Sequence, residues 1–205
     1  YCMASDKMTV RPKIGLLGGS FNPIHIAHIE LALSALKQLP LEHVELLPAG
    51  QPWQKDTLSV SREHRLAMLK IAAEDNPKIL FNTMEIERDG PTYTVDTVRQ
   101  LDKNIDYFWL MGTDQLQNFT TWNGWQEIMQ TLTLVIAKRP DYSSEIPQAM
   151  LDAQVPGKEI IQIFFDEMDI SSTEVRQRLA NNEDVSDYVH PEVIQYINEH
   201  HLYKN

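Results

Sequence analysis

The sequence has little cysteine, little positive charge and no long hydrophobic run. Its one cysteine, Cys2, excludes an intramolecular disulfide framework and is typical of a reducing cytosol. Lys and Arg number 18 against 29 Asp and Glu, and the net charge of −11 argues against broad nucleic-acid binding. The longest apolar stretch, Tyr107–Met111, is far too short to span a membrane, and no secretory signal is visible. We therefore expect a cytosolic protein that binds neither nucleic acid nor membrane. The binding of a small anionic ligand is still possible, since it needs only a local cluster of hydrogen-bond donors.

The composition that remains is that of an ordinary globular protein, with 42% hydrophobic and 23% charged residues. A chain of 205 residues is within the reach of one domain with a sizeable core. We expect residues 13–205 to form that domain, after a disordered extension over residues 1–12. The polar segment 139–159 predicts a loop with one helical turn and not a domain boundary, because the strand-like "IIQIFFD" follows it.

Strand-like and helix-like segments alternate along the chain, which predicts a doubly wound, mostly parallel α/β sheet of about six strands, a Rossmann-like fold with helices on both faces. The predicted strands are Lys13–Leu17, Val44–Pro48, Ile79–Ile86, Tyr107–Gly112, Thr133–Arg139 and Ile160–Asp166. The predicted helices run from Ile26 to before Pro40, over Arg62–Asp75, over Thr94–Lys103, briefly from Asp114, and over "SSTEVRQRLANN" and "HPEVIQYINEHHL". In such sheets ligands bind beyond the carboxyl ends of strands, so the strand-to-helix junctions are where a site is expected.

The first junction, "GGSFNPIHIAHIE" over residues 18–30, combines turn residues with two histidines. Gly18–Gly19 predicts close backbone approach or positive φ, and Asn22–Pro23 fits the N-cap and first position of a helix. His25 and His28 would share one face near that helix N-terminus, whose free N–H groups and dipole favour an anion. Spacing alone leaves a capped helix and an anion site both open. A zinc site lacks further ligands, and neither a Walker A loop nor G-x-G-x-x-G occurs.

The second junction, "DISSTEVRQRL", follows the last predicted strand. Ser171 and Glu174 have the spacing of a capping box, which need do no more than start a helix. Ser172, Thr173 and Arg176 would alternatively offer two hydroxyls and a guanidinium to a phosphate. One set of residues can serve both purposes.

The third junction is "WLMGTDQLQNF", where Gly112 ends a strand and Asp114 starts a turn. Asp114 is either a plain N-cap or a carboxylate that hydrogen-bonds ribose hydroxyls. Two helix-terminal anion sites in one sheet, one of them with paired histidines, indicate a nucleotide with several phosphates.

Together these residues resemble the nucleotidyltransferase superfamily that carries an H-x-x-H motif, and within it the bacterial nicotinate-nucleotide adenylyltransferases. "HIAH" (His25–His28) and "ISSTEVR" (Ile170–Arg176) have the order and spacing of the superfamily motifs. "GGSFNPIH", "ERDGPTYTVDT", "GTDQL", "FTTW", "KRP" and "YINEHHLY" extend the resemblance from about Lys13 to Tyr203. The resemblance implies adenylyl transfer from ATP to nicotinate mononucleotide in NAD biosynthesis, with Mg²⁺ accompanying ATP.

The resemblance also implies roles for particular residues. The residues it assigns to catalysis are His25, His28 and Arg176. Those it assigns to ATP are Gly18, Gly19, Ser20, Phe21, His25, His28, Lys55, Gly112, Asp114, Ile170, Ser172, Thr173 and Arg176. Those it assigns to the nicotinate nucleotide are Thr94, Trp122, Asn123 and Lys55, with Trp122 stacked on the pyridine ring and Thr94 and the Asn123 amide on the carboxylate. No residue is assigned to a metal.

This chain departs from the family pattern at three places. Ala27 replaces the glycine of H-x-G-H, Gln54 stands where a histidine is frequent, and Asn123 stands where an aromatic residue is frequent. The alternatives are a related transferase that uses nicotinamide mononucleotide or another phosphomonoester, and a nucleotide sensor that binds without turnover. A homo-oligomer is compatible with each of these interpretations.

Overall fold

The computed structural model describes residues 11–19, 21–49, 60–87, 93–138, 146–165 and 171–203, apart from the side chain of Asp114. Its strands are β1 (Lys13–Gly19), β2 (His43–Pro48), β3 (Ile79–Phe81), β4 (Asp106–Gly112), β5 (Thr133–Lys138) and β6 (Ile161–Phe164). Its helices are α1 (Ile26–Gln38), α2 (Arg62–Ala73), α3 (Thr94–Gln100), α4 (Thr113–Asn118), α5 (Trp125–Thr131), α6 (Gln148–Asp152), α7 (Ser172–Ala180) and α8 (Pro191–Glu199). A 3₁₀ turn, Phe119–Thr121, links α4 to α5.

The strands form one six-stranded sheet in the order β3-β2-β1-β4-β5-β6, and every neighbouring pair is parallel. This order confirms the predicted doubly wound α/β fold. The chain leaves β1 towards one edge and returns at β4 to build the other half. The boundary between β1 and β4 is therefore the topological switch point, where ligands bind in such sheets.

Two hydrophobic clusters cover the two faces of the sheet, and alternate residues of each central strand enter different clusters. In β4, Phe108 and Leu110 pack beneath α1, α2, α7 and α8, whereas Trp109 and Met111 pack beneath α3, α4 and α5. Period-2 alternation of buried apolar residues is what a sheet covered on both faces requires. The near-continuous apolar runs in the sequence have this origin.

Many predicted boundaries differ from the structure by a few residues, and three of these differences concern the segments around β3, α3 and α4. The strand predicted over Ile79–Ile86 ends at Phe81, because Asn82 begins a turn and its Oδ1 accepts the Met84 N–H at 3.0 Å. The helix predicted over Thr94–Lys103 ends at Gln100. The helix predicted from Asp114 begins at Thr113, with Gly112 as its N-cap.

Other features of the chain agree with the sequence or lie beyond the described residues. The predicted helical turn within 139–159 is α6, Gln148–Asp152. Residues 1–10 lie outside the described part, so the predicted N-terminal extension and the limits of the single domain stay predictions. None of the helices in the described ranges has the length and apolar character needed to cross a membrane.

Candidate active site

A crevice opens between β1 and β4 at the carboxyl edge of the sheet. Pairing between these strands stops at Leu16↔Trp109, although β1 continues to Gly19 and β4 to Gly112. On their other sides the strands stay paired to the end, at Gly19↔Pro48 and Gly112↔Ala137. The two strands therefore separate over their last residues, and the segments that follow them form the two lips of the crevice.

Gly18, near the end of β1, serves packing, and neither it nor Gly19 makes a left-handed turn. A Cβ on Gly18 would lie 2.9 Å from the Trp109 ring, and one on Gly19 would lie 3.7 Å from the Phe21 ring. Neither glycine has positive φ; in the described part of this junction Phe21 does, with φ of 48°. Of the two possibilities that the sequence leaves open here, close backbone approach and positive φ, the structure does not show positive φ, and Gly18 makes room for a tryptophan on the neighbouring strand.

Helix α1 begins later than the Asn-Pro pair suggests. Its N-cap is His25, with φ of −134° and ψ of 175°, and Ile26 is its first residue. Asn22–Pro23 is instead a cis peptide in the buried loop before the helix, so the expectation that these residues cap and start α1 is wrong. The N–H of Ile26 donates to the Tyr188 carbonyl at 2.7 Å. The first amide of α1 is thus used within the protein and is not free for an anion.

The two histidine rings lie against each other at the start of α1. Their centroids are 3.9 Å apart with an interplanar angle of 36°, and Phe21 contacts the His28 ring edge-on at 4.8 Å. His28 Nδ1 accepts a hydrogen bond from the His25 backbone N–H at 3.2 Å. His25 is 6% exposed, and its Nδ1 is buried with no hydrogen-bond partner among the described residues. A buried polar atom in this state is a group that a ligand can satisfy.

Both histidines are neutral at neutral pH in the protein without ligand. Burial lowers the pKa of His25 from 6.5 to about 4, because the charged imidazolium loses its hydration. Burial, and secondarily the charge of His25, hold the pKa of His28 well below its usual value. A neutral His28 whose Nδ1 accepts a hydrogen bond carries its proton on Nε2. The helix start therefore presents an N–H donor without a fixed positive charge.

The crevice has two walls: the start of α1 with its two histidines is the first, and the start of α7 is the second. Ser171 is its N-cap, and its Oγ accepts the Glu174 N–H at 3.1 Å, as the capping interpretation predicts. The next hydroxyl, on Ser172, donates to the Pro23 carbonyl at 3.1 Å and so joins α7 to the loop before α1. A serine has one hydroxyl proton, so Ser172 has no second one to offer a phosphate in this arrangement.

Arg176 and Thr173 keep donors for a ligand. Arg176 Nη1 donates to the Asn22 carbonyl at 2.6 Å, and Nη2 donates to Thr173 Oγ1 at 3.2 Å. Because Thr173 accepts in that bond, its own hydroxyl proton stays available, and Thr173 is exposed. The structure thus brings the two predicted phosphate segments together by direct hydrogen bonds across the loop of Asn22 and Pro23.

Of the residues expected on the nicotinate side, the three that the structure describes, Thr94, Trp122 and Asn123, lie on the other face of the sheet. Thr94 is the first residue of α3, and Trp122 follows the 3₁₀ turn with its ring 5.0 Å from that of Phe119. Asn123 is exposed, and Gly124 next to it has φ of 68°. A Cβ on Gly124 would lie 2.6 Å from the side chain of Val95, the neighbour of Thr94. This close contact is what places Thr94 beside the Trp122–Asn123 turn.

Some predicted site residues cannot be placed in the structure. Ser20, Lys55, Ile170 and the departure at Gln54 lie outside the described residues, as does the side chain of Asp114. Within the described ranges no group of three or more His, Cys, Asp or Glu side chains is arranged to hold a metal ion.

Two residues near the C-terminal helix contact the Asn22–Ile26 segment and are not predicted from the sequence. The Tyr203 hydroxyl donates to Asn22 Oδ1, and the Tyr188 carbonyl accepts the first amide of α1. The Tyr203 signal was present in the terminal "YINEHHLY", which the resemblance included without giving it a role.

The cytidylyltransferase-like family model matches residues 16–178, from β1 into α7. The chain therefore belongs to the cytidylyltransferase-like family. The match includes both the histidine pair and the start of α7 from Ser172 to Arg176, the two walls of the crevice.

More particular similarity comes from whole-length relatives. The chain is 46% identical over 194 residues to a probable nicotinate-nucleotide adenylyltransferase of Bordetella pertussis, covering 94% of this chain and 98% of that protein. It is 38% identical over 200 residues to a protein of the same name in Neisseria meningitidis, with coverage of 94% and 98%. The solved structure of Plasmodium falciparum nicotinic acid mononucleotide adenylyltransferase complexed with NaAD shares the fold, with a TM-score of 0.72, 24% identity and coverage of 94% and 97%. The relatives confirm the resemblance read from the motifs.

Proposed function

We propose that this chain transfers the adenylyl group of ATP to nicotinate mononucleotide and forms deamido-NAD and pyrophosphate, a step of NAD biosynthesis. The observation that carries the proposal is the joined pair of walls at the switch-point crevice. His25 and His28 lie on one wall and Thr173 and Arg176 on the other, tied together through Asn22. The names of the relatives supply the substrates.

The reaction needs no general base on the protein. The attacking group is the phosphate of the mononucleotide, whose second pKa is about 6, so it is largely dianionic at neutral pH. One of its oxygens attacks the α-phosphorus of ATP, the bond from that phosphorus to the bridging oxygen breaks, and pyrophosphate leaves with the electron pair. What the protein must supply is in-line positioning of two anions and donors for the charge that develops on pyrophosphate.

The described side chains fit this task through neutral as well as charged donors. His28 offers Nε2–H and Thr173 a hydroxyl, while Arg176 brings the permanent positive charge. The imidazoles lie beside buried apolar residues, where hydrogen bonds are electrostatically stronger than in water. We therefore assign His25 and His28 to the phosphates as hydrogen-bonding groups that need not be protonated before ATP binds.

We propose that Mg²⁺ binds together with ATP. The side chains in the described part of the site offer imidazole nitrogens, hydroxyls and a guanidinium, whereas Mg²⁺ prefers oxygen ligands and keeps several waters. The ion fits this donor set when phosphate oxygens and water hold it. Bound there, it offsets negative charge on the phosphates. We also propose a cytosolic location, and the observation that supports it is the single cysteine of the sequence.

The test is pyrophosphate release from ATP and Mg²⁺ across a panel of acceptors. The panel contains nicotinate mononucleotide, nicotinamide mononucleotide, phosphopantetheine and a sugar-alcohol phosphate, with CTP replacing ATP as a donor control. We expect the nicotinate compound with ATP to give the highest kcat/KM. A preference for the amide or for another acceptor would overturn the substrate. ATP binding without pyrophosphate release from any acceptor would establish a nucleotide sensor instead.

A further inference from the structure

The loop between β1 and α1 has buried polar groups that its own sequence cannot satisfy. Asn22 is 2% exposed and Ile24 1%, and Pro23 has no N–H to donate. Buried carbonyl and amide oxygens need hydrogen-bond donors, since an unsatisfied one is costly. The donors come from α7, where Arg176 donates to the Asn22 carbonyl and Ser172 to the Pro23 carbonyl.

The remaining donor to the loop comes from the last described residue. The Tyr203 hydroxyl donates to Asn22 Oδ1 across a sequence separation of 181 residues. Leu202, next to it, is buried in the cluster beneath α1, α2, α7 and α8, and this anchors the segment that follows α8. Burial raises the pKa of Tyr203 well above its ordinary value, so the hydroxyl keeps its proton and stays a donor at every working pH.

We propose that Tyr203 and Asn22 are positioning residues, through which the C-terminal segment holds the loop that carries His25 in its ATP-binding arrangement. The inference rests on the proposed function, since it takes the histidine pair to be the phosphate site. Neither residue is assigned a contact with the substrate.

The physical link runs along a short stretch of chain. Asn22 accepts from Arg176 with its carbonyl and from Tyr203 with its side chain, and three residues later His25 caps α1. If one of these supports is lost, the loop spends part of its time away from the position that binds phosphate. Apparent affinity falls in proportion to the fraction of time in the competent position. We expect the consequence for ATP to be larger than for the mononucleotide, whose predicted residues in the described part of the chain, Thr94, Trp122 and Asn123, lie on the other face of the sheet.

Tyr203→Phe tests the inference, because it removes the hydroxyl and keeps the ring. We expect the Kd for ATP and the KM for ATP to rise about tenfold, the scale for a buried acceptor that loses its donor. The KM for nicotinate mononucleotide should change less than about twofold. Tyr196→Phe is the matched control: it removes another tyrosine hydroxyl near the C-terminus, one that contacts His64 Nδ1 at 2.8 Å and not the loop. The control should leave both constants within about twofold of the parent.

A second measurement uses the unmodified chain, so that the inference stays testable if Tyr203→Phe fails to fold. Coupling between two sites is reciprocal, so ATP must favour the docked state of Tyr203 if docked Tyr203 favours ATP. We expect saturating ATP to slow removal of Tyr203 by carboxypeptidase severalfold, followed by mass spectrometry. Nicotinate mononucleotide alone should give much less protection.

The outcomes separate the inference from the proposed function. An unchanged ATP Kd in folded Tyr203→Phe, or equal rates of Tyr203 removal with and without ATP, overturns the inference. Equal losses of affinity for ATP and for the mononucleotide also overturn it, since they indicate general loosening. Absence of turnover by the parent protein with every acceptor overturns the proposed function alone, because the ATP-binding and digestion measurements do not depend on turnover.

Discussion

The buried His25 makes the stability of this protein depend on pH in a defined window. Its pKa in the folded chain is about 4, lowered from 6.5 by burial. Between these two values the unfolded chain binds a proton at this position and the folded chain does not. Protons therefore favour the unfolded state, and stability falls as the pH drops below about 6.5. Above that pH the contribution of His25 is constant.

The size of this effect follows from the two pKa values. A difference of this size corresponds to about 3 kcal/mol in the limit of low pH, since one pKa unit is about 1.4 kcal/mol. At pH 5 the unfolded state is almost fully protonated at this position and the folded state hardly at all, which gives a loss of about 2 kcal/mol relative to pH 8. His28, whose pKa is lowered for the same reason and by the charge of His25, adds to the loss in the same direction.

Urea unfolding at pH 8 and pH 5 measures this loss, with His25→Gln as the perturbation. Glutamine keeps a polar side chain and does not titrate, so the variant should lose about 2 kcal/mol less than the parent between the two pH values. His201→Gln, an exposed histidine in the last described segment, is the control and should follow the parent. The same pH dependence of stability in His25→Gln and in the parent would show that His25 does not titrate differently in the folded and unfolded chain.

Two further predictions concern the histidine pair and the turn expected on the nicotinate side. His28→Ala should lower kcat by about 10²- to 10³-fold, as for loss of one transition-state donor. His190→Ala is the control, because the His190 imidazole also accepts a backbone N–H at a helix start, at 3.1 Å. This control should change kcat less than about twofold. Near-normal turnover in His28→Ala would contradict the assignment of His28 to the phosphates. In Gly124→Ala the new side chain meets two obstacles, a backbone φ of 68° and a Cβ position 2.6 Å from Val95. The substitution should therefore lower the free energy of unfolding by more than about 2 kcal/mol. It should also raise the KM for nicotinate mononucleotide, because Val95 is next to Thr94. Gly157→Ala, with φ of 84° and no atom within 4 Å, should cost only the backbone strain of about 1 kcal/mol, so equal losses in urea unfolding would show that the Val95 contact is unimportant.

The parts of the fold that were predictable are those set by local pattern. The alternation of apolar strands with amphipathic helices gives the parallel sheet, because each strand must be buried on both faces. The Ser171 cap was equally predictable, since its hydrogen bond to the Glu174 N–H closes within four residues. For the helix after β4 the sequence predicts a start one residue too late, because Asp114 is a strong capping type whereas Gly112 is the N-cap.

The parts that were not predictable depend on contacts between distant residues. Asn22–Pro23 has the sequence of an N-cap and a first helical residue, but its carbonyls and its amide oxygen accept from residues 149 to 181 positions away. Those tertiary bonds hold the pair in a loop, so that His25 is the N-cap of α1 and Ile26 its first residue. No local rule specifies which residue of a distant segment will supply a donor.

His25 and His28 combine the two functions that their spacing leaves open, a capped helix and an anion site. His28 Nδ1 accepts a hydrogen bond from the His25 backbone N–H, as a capping side chain does. Because Nδ1 is the acceptor, the ring proton of the neutral imidazole is on Nε2, where it can be donated to a phosphate. Burial keeps the ring neutral, so no proton has to be gained before that donation. One imidazole therefore does both, through its two nitrogens. This arrangement requires a histidine at position 28: glutamine could accept from the backbone or donate to a phosphate, but it lacks the rigid ring that ties one act to the other.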